Sequence, residues 1–335
     1  MNMKIAVIGS GGWGTALACM LLENGHEVSL WSYTQAESDG LKQNHKNPFL
    51  PGIDLPDGLE FTSDPAVVQG KGLVVMATPS FAIRSTSRAI APHLEPGCVV
   101  VSVTKGIEAG TGKRMSQIIA EETGAKVAVL SGPSHAEEVS RGIPTGVVVA
   151  AEELQTAELV QDAFMNDRFR VYTSADMVGV ELGAALKNVI ALCAGVCDGM
   201  GLGDNSKALL ITRGLSEITR LGLALGGKKE TFLGLAGVGD LIVTCTSMHS
   251  RNCRAGILIG KGKSVKDAMD EVGAVVEGYY ATESAMQLAQ KTGVEMPIVE
   301  QAYAVLYEGR NVNVVLEMLM SRARRVEYDG KTNWN

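Results

Sequence analysis

The feature that most constrains this chain is a glycine-rich turn near its beginning, in the segment KIAVIGSGGWGTALACMLLENGHEVSLW. Residues 5–8 are a short apolar run with strand composition, residues 15–23 have helical composition, and residues 27–31 form a second strand-like run. The turn between the first strand and the helix is Gly9-x-Gly11-x-x-Gly14. Strand, turn, helix and strand within about 30 residues are typical of a βαβ unit that binds a dinucleotide.

Each glycine of this turn has a physical role in such a unit. Gly9 allows the tight turn out of the strand, Gly11 lets the backbone approach a pyrophosphate, and Gly14 lets the helix pack closely on the sheet. The phosphates are expected at the free N–H groups of a helix that begins near Gly12. A glycine turn without a ligand is the alternative, but the strand and helix that frame this turn favour the dinucleotide.

Length and charge restrict the class of protein. A chain of 335 residues is long enough for two domains, since single cores usually stop growing near ~250–300 residues. The net charge of −7 argues against a nucleic-acid surface, where a basic face is expected. No uninterrupted apolar run reaches the ~18 residues of a membrane span, and the first strand follows the initial Met1-Asn2-Met3 directly. We therefore expect a cytoplasmic protein without a signal peptide, a membrane span or a nucleic-acid partner.

The cysteines and histidines do not form a metal-binding pattern. The six cysteines include no C-x-x-C pair, and the five histidines have no H-E-x-x-H spacing. Scattered cysteines in a chain of this size are typical of small buried side chains. We expect neither a disulfide framework nor a metal.

The alternation of strands and helices continues to about residue 174. Valine-rich runs at 73–77, 98–103, 126–130, 145–151 and 169–173 alternate with helical segments, whereas residues 44–58 contain three prolines and are predicted to be a loop. After residue 176 nearly every segment has helical spacing. The predicted class is α/β, with a Rossmann-type, doubly wound, mostly parallel sheet in residues 1–176 and an all-α domain in residues 177–335.

Ligands of such sheets bind beyond the carboxyl ends of the strands. That rule selects four turns together, at residues 9–14, 78–80, 104–106 and 131–134. Lys105 lies in the third of them, where it is either a functional cation or a solvated loop residue.

The choice between NAD and NADP stays open. An acidic residue that binds the adenosine ribose of NAD is expected about 20 positions past the glycines, but the strand ends in Trp31-Ser32-Tyr33-Thr34. The first carboxylates, Glu37 and Asp39, come later. Without a carboxylate at the strand end NADP is permitted, although no arginine favours it, and the sequence leans weakly to NADPH.

Lys187 is the most informative side chain of the helical part. It lies in GVELGAALKNVIALCAGV, where a period of 3.6 residues places it on one face with Val180, Gly183, Ala184, Ile190 and Ala191. Burial on an apolar face lowers the pKa of an ammonium group toward the range useful for proton transfer. The alternative is a lysine whose stem covers small residues while its charge reaches water.

Three further groups have a structural and a functional interpretation. Asp240 follows the turn LAGVG and is either a helix cap or a site carboxylate. The run Ser250-Arg251-Asn252 offers a planar guanidinium and neutral donors that match a phosphate, although a polar surface loop has the same composition. Glu277 is either a cap or a cofactor contact.

With these residues identified, the chain resembles bacterial NAD(P)-dependent glycerol-3-phosphate dehydrogenases over essentially its whole length. The resembling stretches are IGSGGWGTALA, VSVTKGIE, LSGPSHAEEV, LKNVIA, ITRGLSE, LAGVGDLIVTCTS with HSRN, VVEGY and GVEMPI. The resemblance implies reversible reduction of dihydroxyacetone phosphate to sn-glycerol 3-phosphate, the backbone precursor of glycerophospholipids, with Lys187 as proton donor and acceptor. A small-molecule substrate and a homodimer are expected.

The resemblance also implies the other site residues. Substrate positions match Lys105, Gly132, Ser134, Lys187, Asp240, Ser250, Arg251 and Asn252. Cofactor positions, together with the glycines Gly9, Gly11 and Gly14, match Gly12, Trp13, Tyr33, Lys105, Ala136, Arg251, Val275 and Glu277. Trp13 and Tyr33 fall at variable positions of the family.

Two alternative functions remain at this stage. A related reductase of the same two-domain plan, acting on a keto acid or a larger phosphorylated sugar, would use the same lysine. A dinucleotide-sensing module without catalysis would need the glycines but not Lys187, Asp240 and Arg251 together.

Overall fold

The computed structural model describes residues 2–324, 326 and 327. Within these residues a single eight-stranded sheet has the order β3-β2-β1-β4-β5-β6-β7-β8. The strands are β1 Lys4–Ile8, β2 Glu27–Trp31, β3 Glu60–Thr62, β4 Leu73–Met76, β5 Val99–Ser102, β6 Lys126–Ser131, β7 Thr145–Ala151 and β8 Phe169–Ser174. Sequence reasoning missed β3, a three-residue strand that pairs with β2 at the edge of the described sheet.

The sheet is mostly parallel, as predicted. Strands β1 to β6 all run in the same direction, so the turns that follow β1, β4, β5 and β6 lie at the same edge. The pair β6–β7 is antiparallel, and β8 runs parallel to β7. The connection from β6 to β7 contains a helix of only four residues, which is too short to act as a crossover helix between parallel strands.

Helices cover both faces of the sheet. They are α1 Gly12–Glu23, α2 Gln35–Asn44, α3 Ile83–Ile90, α4 Met115–Thr123, α5 Ala136–Val139 and α6 Leu154–Phe164. Alternate residues of β1 point to opposite faces: Val7 packs in a core with Leu17 of α1, whereas Ile8 packs in a second core with Ile83 of α3. This two-sided burial confirms the doubly wound arrangement and explains why the strands are continuously apolar.

The second part of the described chain is helical and is built around one central helix. Its helices are α7 Met177–Gly199, α8 Gly203–Ala224, α9 Lys229–Phe232, α10 Asp240–Thr246, α11 Arg251–Gly260, α12 Val265–Val272, α13 Glu277–Thr292, α14 Pro297–Glu308 and α15 Val312–Met320. Helix α7 packs against α8, α10, α11 and α13. It is long and apolar enough to cross a membrane, but 83% of that apolar window is buried inside the protein, as in a core helix.

The change from sheet to helices occurs between Ser174 and Met177. Asp176 caps α7 by accepting a hydrogen bond from the Gly179 N–H at 2.8 Å, and its other oxygen accepts from Thr231 at 2.6 Å. The predicted domain boundary between residues 176 and 177 falls in this stretch, and it stays a prediction. The end of the second domain, residues 328–335, lies outside the described residues.

Candidate active site

The candidate active site is built around Lys187, in the middle of the central helix α7. This lysine is buried, with 5% of the residue exposed. One turn earlier lies Gly183, where a Cβ atom would stand 2.6 Å from the carbonyl oxygen of Ala236. Only glycine permits this close approach of the π-helical turn Leu235–Gly239, which directly precedes α10. The close packing brings the first turn of α10 beside Lys187.

Two side chains of α10 accept hydrogen bonds from Lys187. Its Nζ atom donates to Oδ1 of Asp240 at 2.5 Å and to Oγ1 of Thr244 at 2.6 Å. The Thr244 hydroxyl in turn donates to the backbone carbonyl of Asp240 at 2.6 Å. The helix cap position is Gly239, so the Asp240 carboxylate is not used as a cap.

The sheet domain supplies a second ammonium group to the same carboxylate. Lys105, which follows β5, donates to Oδ2 of Asp240 at 2.8 Å and to the carbonyl of Gly132 at 3.2 Å. The Ser134 hydroxyl donates to the Gly132 carbonyl at 2.9 Å. Five residues predicted as substrate positions are therefore in one place, although they come from four segments far apart in the sequence.

Burial and charge give these groups unusual acidities. Burial lowers the pKa of Lys187 from its usual 10.5 to about 7; the Asp240 carboxylate opposes this shift and Lys105 adds to it. Burial alone would raise the pKa of Asp240, but Lys105 and Lys187 outweigh burial and hold it below its usual value. Lys187 can therefore hold or release a proton near neutral pH, beside a carboxylate that stays ionised.

The predicted phosphate-binding run lies at the start of α11. Ser250 is its cap, and its oxygen accepts from the Cys253 N–H at 3.2 Å, which leaves the hydroxyl proton free to donate. Asn252 is buried: its Oδ1 accepts from the Gly278 N–H at 2.8 Å and its Nδ2 donates to Asn188 at 3.0 Å. Asn252 therefore fixes the loop and retains one amide hydrogen for a ligand. Arg251 is exposed between these two anchors.

Glu277, the first residue of α13, joins the helical domain to the sheet domain. Its carboxylate accepts from the backbone N–H of Ser80 at 3.1 Å and from the Ser80 hydroxyl at 2.6 Å. Burial raises the pKa of Glu277, against the Ser80 hydrogen bonds and the positive charge of Arg251. The charge of Arg251 therefore acts on Glu277, and both residues are predicted cofactor contacts.

The glycine turn has the form that a dinucleotide requires. Gly9 has φ +119°, and α1 begins at Gly12 as predicted. A Cβ at Gly14 would lie 2.0 Å from the Gly9 carbonyl oxygen, whereas the Cβ position of Gly11 is open space. The turn therefore packs tightly inward and leaves an open approach at Gly11.

A buried donor beside this turn supports the same ligand. The indole Nε1 atom of Trp13 is buried and has no hydrogen-bond partner among the described residues, although buried polar groups are nearly always paired. A bound phosphate or ribose oxygen would satisfy it. Of the other predicted cofactor residues, Tyr33 is 82% exposed after β2, Ala136 begins α5 and Val275 precedes α13. The residues present therefore fit a dinucleotide.

Sequence reasoning missed three residues that position the site. The sequence offers Thr244 only as one of the hydroxyl-bearing residues between Asp240 and Ser250, Ser80 only as part of the turn at residues 78–80, and Asn188 only within the stretch LKNVIA. A signal for Thr244 was present, since it lies four residues after Asp240 and therefore on the same helix face. Within the described part of the chain, no group of three or more histidine, cysteine, aspartate or glutamate side chains could hold a metal ion.

A Rossmann-type domain, a helical domain and a buried lysine between them define a two-domain dinucleotide-dependent oxidoreductase. Residues 4–157 and 176–317 match the sequence models of the N-terminal and C-terminal parts of NAD-dependent glycerol-3-phosphate dehydrogenase. The chain belongs to this family.

Individual relatives are similar to this chain over nearly its full length. The glycerol-3-phosphate dehydrogenase [NAD(P)+] of Moorella thermoacetica is 54% identical over 331 residues, covering 98% of this chain and 99% of the relative. That of Fusobacterium nucleatum is 52% identical, covering 97% and 98% of the two chains. The crystal structure of glycerol-3-phosphate dehydrogenase from Coxiella burnetii superimposes with a TM-score of 0.93 at 38% identity, covering 96% of this chain and 99% of that one.

Proposed function

We propose that this enzyme reversibly reduces dihydroxyacetone phosphate to sn-glycerol 3-phosphate with NADH or NADPH. The observation that carries the proposal is the buried contact of Lys187 with Asp240, reinforced from the other domain by Lys105. A dinucleotide-sensing module would not need this arrangement. Family membership selects the phosphorylated triose over the keto acid or larger sugar that the sequence left open.

Lys187 is proposed to hold and move the proton at its Nζ atom. In the direction of reduction, its ammonium form stabilises the negative charge that develops on the C2 oxygen of the ketone and then protonates that oxygen. In the direction of oxidation, the neutral amine removes the hydroxyl proton. Asp240 and Thr244 fix the position of Nζ, because each accepts one of its hydrogen bonds.

The residues around the glycine turn are proposed to hold the dinucleotide, which supplies or accepts the hydride when bound. Its pyrophosphate would lie against Gly11, Gly12 and the first N–H groups of α1. Trp13 would donate its unpaired N–H to the same ligand. Glu277 and Arg251 would contact the dinucleotide from the helical domain.

The start of α11 is proposed to bind the substrate phosphate. Arg251 provides a planar pair of donors, Ser250 a hydroxyl proton and Asn252 an amide hydrogen, so charged and neutral hydrogen bonds converge on one anion. Lys105, Gly132 and Ser134 would orient the C1 hydroxyl group at the other end of the substrate. Such positioning holds C2 near Lys187, so the entropy cost of bringing the reacting groups together is met on binding and not during the reaction.

The surroundings of the enzyme are also part of the proposal. The product is the backbone precursor of glycerophospholipids, and we expect the enzyme in the cytoplasm.

We expect a homodimer, for which α15 offers an apolar surface: none of its residues is buried, and Val314, Met318 and Met320 are exposed. Sedimentation equilibrium tests the homodimer.

The activity is tested by following the absorbance of NADH, and separately of NADPH, at 340 nm. Oxidation of either cofactor is expected with dihydroxyacetone phosphate, and far less with unphosphorylated dihydroxyacetone or with a branched keto acid. Chiral analysis should give only the sn-3 phosphate. Equal rates on a keto acid would contradict the proposal, and binding of the cofactor without turnover would favour a sensing module.

A further inference from the structure

The carboxyl end of β2 is where a doubly wound sheet places the adenosine ribose of its dinucleotide. In this chain residues 32–41, which follow β2, contain no lysine or arginine and include Glu37 and Asp39. Residues 60–70, which include β3 and the short 3-10 helix Pro65–Val68, are also without a cation and include Asp64. We refer to these two segments together as the ribose edge.

Hydrogen bonds hold the two segments of the ribose edge together. The backbone N–H of Ser32 donates to the Thr62 carbonyl at 2.9 Å, and the indole of Trp31 donates to the Ser63 carbonyl at 2.9 Å. The Ser63 hydroxyl donates to Gln35 at 2.6 Å. Asp64, the next residue, is therefore held beside the start of α2 and belongs to the same surface.

The start of α2 fixes a carboxylate close to the end of β2. Glu37 accepts a hydrogen bond from the Thr34 N–H at 3.2 Å, while the Glu37 N–H donates to the Thr34 hydroxyl at 3.2 Å. This reciprocal capping box uses two of the N–H groups that an anion could otherwise contact. It also leaves a negative charge three residues beyond Thr34, where a positive charge would be needed to bind a phosphate.

The lysines that directly follow the two segments, Lys42 and Lys71, lie away from the end of β2. Lys42 is in the last turn of α2, and the Nζ atom of Lys71 donates to the Ser29 hydroxyl at 2.7 Å, in the middle of β2. Asp39, on the next turn of α2, accepts from Gln35 at 2.8 Å. The charged groups at the ribose edge are therefore acidic.

Ser32 supplies a neutral partner at the same place. Its side chain is fully buried, and its hydroxyl has no hydrogen-bond partner among the described residues. A ribose 2′-hydroxyl can both donate to and accept from such a group. A 2′-phosphate would instead bring close to two negative charges against Glu37, Asp39 and Asp64.

We propose that this enzyme prefers NADH to NADPH, with Ser32 as a contact for the ribose 2′-hydroxyl and Glu37 as the main residue that excludes the 2′-phosphate. The inference rests on the proposed function only for the site of the dinucleotide. This preference is opposite to the weak preference for NADPH expected from the sequence. The end of β2 carries no carboxylate, but the capping box places the Glu37 carboxylate close to it.

Equilibrium binding without substrate tests this preference. Titration calorimetry of the full chain is expected to give a dissociation constant for NADH at least about tenfold lower than for NADPH, since one additional charge contact near the surface is worth roughly 1 kcal/mol or more. The difference should narrow as salt is raised from low to about 1 M, because exposed charges are screened. Equal affinities, tighter NADPH binding or a salt-independent difference would overturn the proposal.

Two substitutions locate the cause. Glu37→Gln removes the charge but retains the capping box, which accepts glutamine at this position, and should lower the NADPH dissociation constant several-fold with little change for NADH. Tyr33→Arg adds a cation and should improve NADPH binding by about tenfold. The matched control is Glu158→Gln, an exposed acid on α6, which should change neither constant. An unchanged ratio in Glu37→Gln would remove Glu37 from the explanation and overturn its assigned role.

These results are distinguishable from a failure of the proposed reaction. Binding of either dinucleotide is measured without the ketone, so an enzyme that rejects dihydroxyacetone phosphate would still show the preference. Conversely, rapid reduction of dihydroxyacetone phosphate together with tighter NADPH binding would support the reaction and refute the preference.

Discussion

The Nζ atom of Lys187 lies 2.5 Å from Oδ1 of Asp240, and the two side chains are 6% and 1% exposed. The second oxygen of the same carboxylate accepts from Lys105 of the sheet domain. A buried carboxylate thus connects the proposed proton donor to the cofactor-binding domain. A buried ion pair of this kind is weak evidence for stability, and its value here lies in fixing Nζ for the reaction.

Replacing Lys187 should abolish proton transfer while leaving the fold intact. We expect Lys187→Met to lower kcat by about 100- to 10,000-fold, the usual contribution of a positioned acid or base. Stopped-flow and steady-state assays measure this loss, and NADH binding should be retained. Lys291→Met, an exposed lysine on α13, is the control. A variant with near wild-type kcat would show that another group donates the proton.

The pH dependence should follow the lowered pKa of Lys187. Reduction needs the protonated amine, so kcat/KM for dihydroxyacetone phosphate should fall as pH rises through about 7, whereas kcat/KM for glycerol 3-phosphate oxidation should rise there. Asp240→Asn removes the charge that favours the ammonium form, so the same transition should move to lower pH. A transition that does not move in the variant would belong to the substrate phosphate or to another residue.

Arg251 should act on the phosphate of the substrate. Arg251→Gln is expected to raise KM for dihydroxyacetone phosphate by about 10- to 100-fold, since a hydrogen bond to a charged group contributes roughly 1.5–3 kcal/mol. The slow reduction of unphosphorylated dihydroxyacetone should change little. Arg254→Gln, an exposed arginine three positions later, is the matched control. Equal losses on both ketones would assign Arg251 to the cofactor alone.

Glu217 should make stability depend on pH independently of the site. It lies on α8, is buried against the start of α14, and accepts from the backbone N–H groups of Ile298 at 2.9 Å and Val299 at 3.3 Å. Burial raises the pKa of Glu217 from 4.5 to about 7. The folded state therefore binds more protons than the unfolded state between these values, and stability falls as pH rises through that window.

Urea unfolding at pH 5 and pH 8 measures this effect. Wild type should lose on the order of 2–3 kcal/mol of unfolding free energy between pH 5 and pH 8 through this group. Glu217→Gln should not show this loss, so the variant should gain stability relative to wild type at pH 8. Glu158→Gln, at an exposed site on α6, is a control for general charge effects. Parallel curves for wild type and Glu217→Gln would contradict the raised pKa.

Local patterns determined much of this protein. The apolar runs, the spacing of Gly9, Gly11 and Gly14 and the change to helical spacing after residue 176 predicted the sheet, the dinucleotide turn and the helical domain, because these depend on residues close together in the chain. Lys187 was recognisable for the same reason, since a helix face is defined by neighbours three and four residues away.

Only the tertiary structure decided which groups meet. Asp240 lies 53 positions after Lys187 and comes beside it because Gly183 lets the Ala236 backbone approach α7. Strand β7 turned antiparallel because a four-residue helix cannot carry the chain across the sheet. The charge of Glu37 at the ribose edge depends on a capping box and on the packing of β3 against β2. Such contacts join residues far apart in sequence, and the free energy that selects them comes from packing the whole chain.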